Sequence, residues 1–318
     1  MLTTANVATP VVAEVGGALV ANVERIMRGT SDAVRLAVVT LLAGGHLLIE
    51  DLPGQGKTTL AKALARSIGG QFRRVQGTAD LLPSELTGVA VFEPSTCAWN
   101  FRPGPLFTNV LLIDELNRST PRTQSALLEA MAESQVTVDG KTYRLPEPFF
   151  VVATQNPFDH AGTFPLVEGQ RDRFAMVLEL GHPDPIAERE LLLGRGGSQQ
   201  LDSVETVVTT EQLLAAQRAV RSVQAVDKVI DYVVAIGAKT RSHPHVRLGQ
   251  SPRGSQALLQ ASKAWAGLHG RYFVTPDDVQ AMAPSVLAHR LVMRSSSGLE
   301  ASRATIAEIL ADVAVPRG

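Results

Sequence analysis

Apolar runs and helical spacings alternate through the first half of the chain. Residues 34–42 repeat apolar side chains at helical spacing and lead into a short apolar run at 47–50. A helix pattern at 58–67, a strand at 72–76, a strand at 110–113, a helix at 123–133 and a strand at 149–154 follow in turn. Apolar strands separated by helices predict a parallel sheet covered by helices on its faces. Two insertions interrupt that rhythm. Residues 80–105 are rich in turn formers, including Pro83, Pro94, Pro103 and Pro105, and Asp139-Gly140 sits between alternating residues at 135–138 and 141–145, a hairpin signal.

The pattern changes beyond residue 181. Residues 181–210 hold Pro183, Pro185 and glycines at 194, 196 and 197, and predict a hinge with one short helix at 185–193. Four helical spacings come after it, at 211–223, 227–241, 254–269 and 276–291, with caps expected at Thr210, Ser251 and Thr275. The chain therefore divides into an α/β part at 1–182, a connector at 183–210 and a helical part at 211–318.

The junction after the first strand carries the chemistry. Leu47-Leu-Ile-Glu-Asp-Leu-Pro-Gly-Gln-Gly-Lys-Thr-Thr-Leu60 is a strand, a glycine turn and the start of a helix. Backbone N–H groups of such a turn point at phosphate oxygens, and the helix dipole adds positive potential. Pro53, Gly54, Gln55, Gly56, Lys57, Thr58 and Thr59 are the predicted phosphate cradle, with Lys57 as the point charge and Thr58 as a Mg²⁺ ligand. Asp51 occupies the position where this pattern ordinarily has its first glycine. Downstream, Asn109-Val-Leu-Leu-Ile-Asp-Glu-Leu-Asn-Arg118 puts two carboxylates at the C-terminal end of a buried strand, the edge at which open α/β sheets bind ligands. Asp114 is expected to hold Mg²⁺ and Glu115 to orient and deprotonate a water.

Composition narrows the field. The chain has 318 residues, 45% of them hydrophobic and only 5% aromatic, enough for two aliphatic cores. A formal charge of −1 gives no nucleic-acid footprint. One cysteine, Cys97, excludes an internal disulfide and fits a reducing, cytoplasmic setting. The stretch 11–23 is mildly apolar, but Glu14, Gly16-Gly17 and the lack of a basic flank argue against a signal peptide, and no run reaches membrane-spanning length. The seven histidines show no metal-ligand company, and His243 and His245 beside Pro244 form at most a loop pair.

An ordered set of motifs extends these features over nearly the whole chain: Leu52-Pro-Gly-Gln-Gly-Lys-Thr-Thr59, Leu81-Leu-Pro-Ser-Glu-Leu-Thr-Gly88, Phe101-Arg-Pro-Gly-Pro105, Ile113-Asp-Glu-Leu-Asn-Arg118, Ala153-Thr-Gln-Asn-Pro157, Gln170-Arg-Asp-Arg-Phe174, Ser251-Pro-Arg253 and Val274-Thr-Pro-Asp-Asp-Val279. The set closely resembles MoxR-type AAA+ ATPases. The resemblance implies a P-loop α/β core, a helical lid, ATP and Mg²⁺ as ligands, and nucleotide-dependent rings, usually hexamers, that remodel or activate partner proteins. In related members the partner often carries a von Willebrand factor A domain. It further implies that 80–105 is a helix-2 insert and 135–145 a pre-sensor-1 hairpin, that Asn156 is sensor 1 and Arg253 sensor 2, and that Arg173 is the arginine finger, with Arg171 as its rival. Arg118 and Arg122 flank the helix that follows the Asp114-Glu115 motif and face either a neighbouring subunit or solvent. Two other classes stay open: a DNA-linked or chelatase-type motor, which shares both insertions, and a slow nucleotide-gated scaffold.

Overall fold

The computed structural model describes residues 5–156, 162–295 and 298–316, with side chains from residue 10 onward. Helices α1 (Ala5–Glu24) and α2 (Ser31–Leu42) lead to β1 (Leu47–Glu50), followed by α3 (Lys57–Ser67), β2 (Phe72–Gln76), α4 (Pro83–Thr87), β3 (Gly88–Glu93) and β4 (Ala98–Pro103). The α/β part continues through β5 (Val110–Asp114), α5 (Pro121–Glu133), β6 (Gln135–Val138), β7 (Lys141–Arg144), β8 (Phe150–Gln155), α6 (Glu168–Arg171) and β9 (Met176–Leu178). After α7 (Pro185–Leu192) come α8 (Thr210–Ser222), α9 (Asp227–Ser242), β10 (Val246–Leu248), α10 (Pro252–Leu268), α11 (Pro276–Leu287), β11 (Val292–Met293) and α12 (Leu299–Asp312).

Five strands form one parallel sheet in the order β2-β5-β8-β1-β9. β5 is buried along its whole length and β8 along all but its last residue, as uninterrupted apolar runs require when helices cover both faces. The register sets the site. Gln76 lies beside Asp114, and Glu50 beside Gln155, so the C-terminal ends of four strands meet at one edge of the sheet. The expected α/β core with a helical C-terminal part is what forms, the latter carrying in addition the two-stranded β10–β11 ladder.

Several elements differ from the expectation. β9 completes the sheet, α1 is a 20-residue helix packed against α8 and α10, and α12 closes the C-terminal part, none of which was anticipated. The first insertion is not merely turns: α4 leads into an antiparallel β3–β4 hairpin. The second is the predicted hairpin, with Asp139 and Gly140 both at positive φ (49° and 74°), the conformation that an Asp-Gly turn supplies. The two insertions touch, Phe101 stacking on Tyr143 at 4.0 Å between ring centroids. α8 is capped by Thr209 rather than Thr210; the Thr209 hydroxyl accepts the Gln212 N–H while the Gln212 side chain accepts the Thr209 N–H, a reciprocal cap. The 183–210 connector lies along the core: the Arg66 guanidinium donates to the Leu201 carbonyl, and Val207 and Val208 donate to the Ser67 carbonyl. No helix among the described residues is long and apolar enough to cross a membrane.

Candidate active site

Between β1 and α3 the chain turns through Gly54 and Gly56, at φ +89° and +88°. Space around a Cβ at Gly54 is open, so it is the left-handed backbone, not crowding, that requires glycine there. The Lys57 ammonium, at the start of α3, donates across the turn to the Asp51 carbonyl. Burial lowers its pKa, while Asp51, Asp114 and Glu115 act in the opposite direction. Asp51 itself is an anchor. Its carboxylate accepts the N–H groups of Leu52 (2.7 Å), Leu180 (2.7 Å) and Gly181 (2.9 Å), tying the loop to the chain leaving β9.

Asp114 and Glu115 reach the same place from the end of β5. Thr154 on neighbouring β8 organises both: its hydroxyl accepts the Glu115 N–H at 3.0 Å and donates to Asp114 Oδ1 at 3.4 Å. Glu115 has φ +54°, a left-handed turn that redirects its side chain at the strand end. There Oε2 accepts Gln76 Nε2 at 2.9 Å and pairs with Arg118 Nε at 3.1 Å. Asp114 Oδ2 pairs with Arg74 Nε at 2.6 Å. Arg74 and Gln76 carry no motif signal of their own, and Thr154, although inside the Ala153–Pro157 motif, has no role assigned by it; pairing of β2 and β8 with β5 is what brings all three to the carboxylates.

A cavity of about 330 Å³ is lined by the glycine loop, Lys57, Thr58, Thr59, Arg74, Asp114, Glu115 and Asn156. The structure thus brings together the predicted cradle, both carboxylates and the predicted sensor-1 asparagine; Pro157, the end of that motif, lies outside the described residues. A second cavity, about 290 Å³, adjoins across Gly54, Gly56 and Thr59 and is walled by Ile26, Met27, Pro183 and Leu191, with Gln55 also on its lining. Arg28, Thr30, Ser198 and Gln199 also line it, so one apolar wall faces a polar one, a lining that can take a flat ring with polar edges. It was invisible in the sequence because it is assembled from the α1–α2 loop and the connector.

Three predicted residues lie elsewhere. Arg253 is exposed on the first turn of α10 and lines neither cavity; Arg290 is the charged group it acts on electrostatically. Arg173 donates to the Leu128 carbonyl at 2.6 Å, and Arg171 pairs with buried Glu50 at 2.8 Å. Glu50 also accepts Gln155 Nε2, and its carboxyl pKa is raised by burial, with Arg171 and Gln155 opposing. Arg118 proves to be a partner of Glu115, and Arg122 is exposed. The reading of the histidines needs correction: His243 and His245 do have company, since Glu308 of α12 brings its carboxylate within 4.8 Å of both imidazoles.

Relatives of this chain share its sequence, and a solved structure shares its fold. A family model described as "ATPase family associated with various cellular activities (AAA)" covers residues 46–176, and an AAA lid domain model covers 238–312. Chaperone MoxR1 of Mycobacterium tuberculosis is 38% identical over 85% of this chain and 74% of its own length. The chain belongs to the MoxR-type AAA+ ATPases. Among other members of the family, protein MoxR of Methylorubrum extorquens is 32% identical over 83% of this chain and 84% of its own. The uncharacterised protein YeaC of Bacillus subtilis is 47% identical over 94% of each chain. A Cytophaga hutchinsonii protein provisionally assigned as an ATPase has a crystal structure that superposes with a TM-score of 0.88 at 31% identity, over 99% of both chains.

Proposed function

We propose that this MoxR-type protein hydrolyses ATP to ADP and phosphate as a ring of identical subunits, and that the cycle remodels or activates a partner protein in the cytoplasm. The observation that carries the reading is the convergence of the Gly54–Gly56 loop, Lys57, Asp114, Glu115 and Asn156 on one cavity. The triphosphate would lie along the loop, with Lys57 offsetting its charge and the base in the adjoining cavity, against Ile26, Met27 and Leu191. The hydroxyl of Thr58 and the carboxylate of Asp114 are hard oxygen donors on the same cavity and suit Mg²⁺. Bound there, Mg²⁺ would neutralise phosphate charge and align the leaving group.

Glu115 takes the proton of the attacking water, and the Asn156 amide orients that water or the γ-phosphate. Gln76 and Arg118 now hold the Glu115 carboxylate, so it must exchange these partners for water before it acts as a base. Arg253 on the lid and Arg173 of a neighbouring copy are assigned to the developing phosphate charge; each requires a movement of the lid or an apposed subunit. The stacked insertions carry an exposed pair, Phe92 and Trp99, at the outer hairpin, a place for contact with a client, whose family precedent is a von Willebrand factor A domain.

Glu115→Gln keeps shape and loses the base. It should bind ATP within about twofold of wild type and hydrolyse it at least ~10²-fold more slowly. Steady-state phosphate release alongside binding of a fluorescent ATP analogue checks both. Turnover near the wild-type rate would remove Glu115 from this role.

A further inference from the structure

We infer that Arg74 is an exchangeable counter-ion for Asp114, holding the carboxylate in the cation-free protein, yielding it to a divalent cation that arrives with a nucleoside triphosphate, and then facing the phosphates. The inference deepens the ATPase reading and rests on it only in taking Asp114 as the metal-side carboxylate.

The two oxygens of Asp114 are in different positions. Oδ1 takes the hydroxyl of Thr154, a fixed group on buried strand β8. Oδ2 takes the Arg74 guanidinium at 2.6 Å. A cation binding Asp114 through Oδ2 therefore meets Arg74 there and must displace it, since two positive charges cannot share one lone-pair direction at contact distance.

The two partners are also unequal in freedom. The Asp114 side chain is 11% exposed and the Arg74 side chain 52% exposed. Asp114 is held by the strand and by Thr154, whereas Arg74 sits on the edge strand β2 and swings on a long stem without vacating a packed position. A half-exposed pair of this kind is weak enough to exchange, while an unpaired carboxylate at Asp114 would carry a desolvation cost. Arg74 thus satisfies the carboxylate when no cation does. Strand geometry directs it: Arg74 and Gln76 are two residues apart on one face of β2 and engage Asp114 and Glu115 respectively.

Displacement does not take Arg74 out of the site. It lines the same cavity as the glycine loop and Lys57, and a guanidinium pivoting off Oδ2 finds phosphate oxygens as its next anionic partners, in a geometry suited to bidentate contact. Entry of a bare cation is opposed, and entry of a cation with its own phosphate ligands is compensated, because Arg74 exchanges one anionic partner for another.

The test titrates nucleotide-free protein with Mn²⁺, following free Mn²⁺ by electron paramagnetic resonance. Arg74→Gln should bind Mn²⁺ about tenfold more tightly than wild type, equivalent to about 1.4 kcal/mol, and the gain should vanish in Arg74→Gln/Asp114→Asn. Arg74→Lys keeps a cation and should stay within about twofold of wild type. Equal Mn²⁺ affinity in wild type and Arg74→Gln overturns the inference, as does a tenfold gain in Arg74→Lys, which would assign the effect to packing. Arg74→Met replaces the glutamine variant if the latter does not fold. Binding of a fluorescent ATP analogue with Mg²⁺ separates the two readings. A gain on Arg74→Gln in a protein that binds no nucleotide upholds the exchange and sinks the ATPase reading, whereas nucleotide binding with unchanged Mn²⁺ affinity does the reverse.

Discussion

His46, the residue before β1, shows what burial does to a single titratable group. Its Nδ1 accepts the Val151 N–H at 3.1 Å, and its Nε2 donates to the Met131 carbonyl at 3.1 Å, an arrangement only the neutral Nε2–H tautomer satisfies. Burial lowers the imidazole pKa from 6.5 to about 4. Between those values the unfolded chain binds the proton and the folded chain does not, so stability rises with pH across the window and is level above it. Acidification from pH 7 to 4.5 should cost on the order of 2 kcal/mol through His46 alone. His289, buried with its Nε2 on the Phe174 carbonyl and its pKa pushed down by burial and by Arg290, acts in the same direction. Urea denaturation at pH 4.5 and 7 should show His46→Gln losing on the order of 2 kcal/mol less than wild type on acidification; identical losses would remove His46 as a source. At this scale, what was legible in the sequence was local. The predicted cradle from Pro53 to Thr59 is contiguous, so its glycine, lysine and threonine pattern can be read directly from the sequence. Arg74, Gln76 and Thr154 act through strand register, which one sequence does not reveal, and Asp51, which looked like a departure, is an anchor to residues more than a hundred positions away.

Elements were legible where apolar runs were long and their neighbours polar. β1, β2, β5 and β8 were found within a residue or so of their observed bounds, and β9 was not, because three residues are too few for any periodicity to show. The β3–β4 hairpin was hidden behind prolines, two of which, Pro94 and Pro103, lie in its turn and at its end. α1 was passed over for a different reason. Gly16-Gly17 reads as an interruption, yet Gly16 packs closely against α10: a Cβ there would lie 2.5 Å from Leu268 Cδ1. Gly267 on α10 makes the reciprocal approach, with a Cβ 2.7 Å from Val12 Cγ1. Glycine in these helices is spent on contact between helices, at the known cost in propensity. Gly267→Ala should therefore destabilise by about 1–3 kcal/mol through overpacking, and in a Val12→Ala background the same change should cost under about 0.5 kcal/mol. A thermodynamic cycle from denaturant melts reads the coupling directly, and simple additivity would contradict a close α1–α10 contact.

At the scale of the whole molecule, the segment 170–174 joins what the strands and the C-terminal helices do separately. Arg171 pairs with Glu50 at the end of β1. Asp172 accepts Arg290 Nε and Ser251 Oγ, both at 2.8 Å, from the lid side. Arg290 is almost wholly buried, and its remaining N–H groups reach the carbonyls of Asp172, Phe174, Ala175 and Val286, so the contact is a fully satisfied charge rather than a sliding surface. Ser251 at the same time caps α10, the helix that carries Arg253. A change at the end of β1 thus has a continuous polar route to the lid, and the next residue, Arg173, is the one assigned to the neighbouring subunit. That assignment makes a prediction no monomer can imitate. Arg173→Ala should bind ATP normally as an isolated subunit and hydrolyse it about 10³-fold more slowly once assembled, and Glu115→Gln should be similarly inactive. Mixed in equal amounts, the two inactive variants should regain activity. An Arg173→Ala subunit still has Glu115, and it finds an intact Arg173 on any Glu115→Gln neighbour; random assembly in a closed ring makes such an interface about a quarter of the total. Phosphate release from the mixture should rise steeply with protein concentration, together with an oligomer mass that depends on ATP. A mixture as inactive as its components, or an Arg173→Ala protein with wild-type turnover and a monomer mass throughout, would place hydrolysis within single subunits and end the case for a finger supplied by a neighbour.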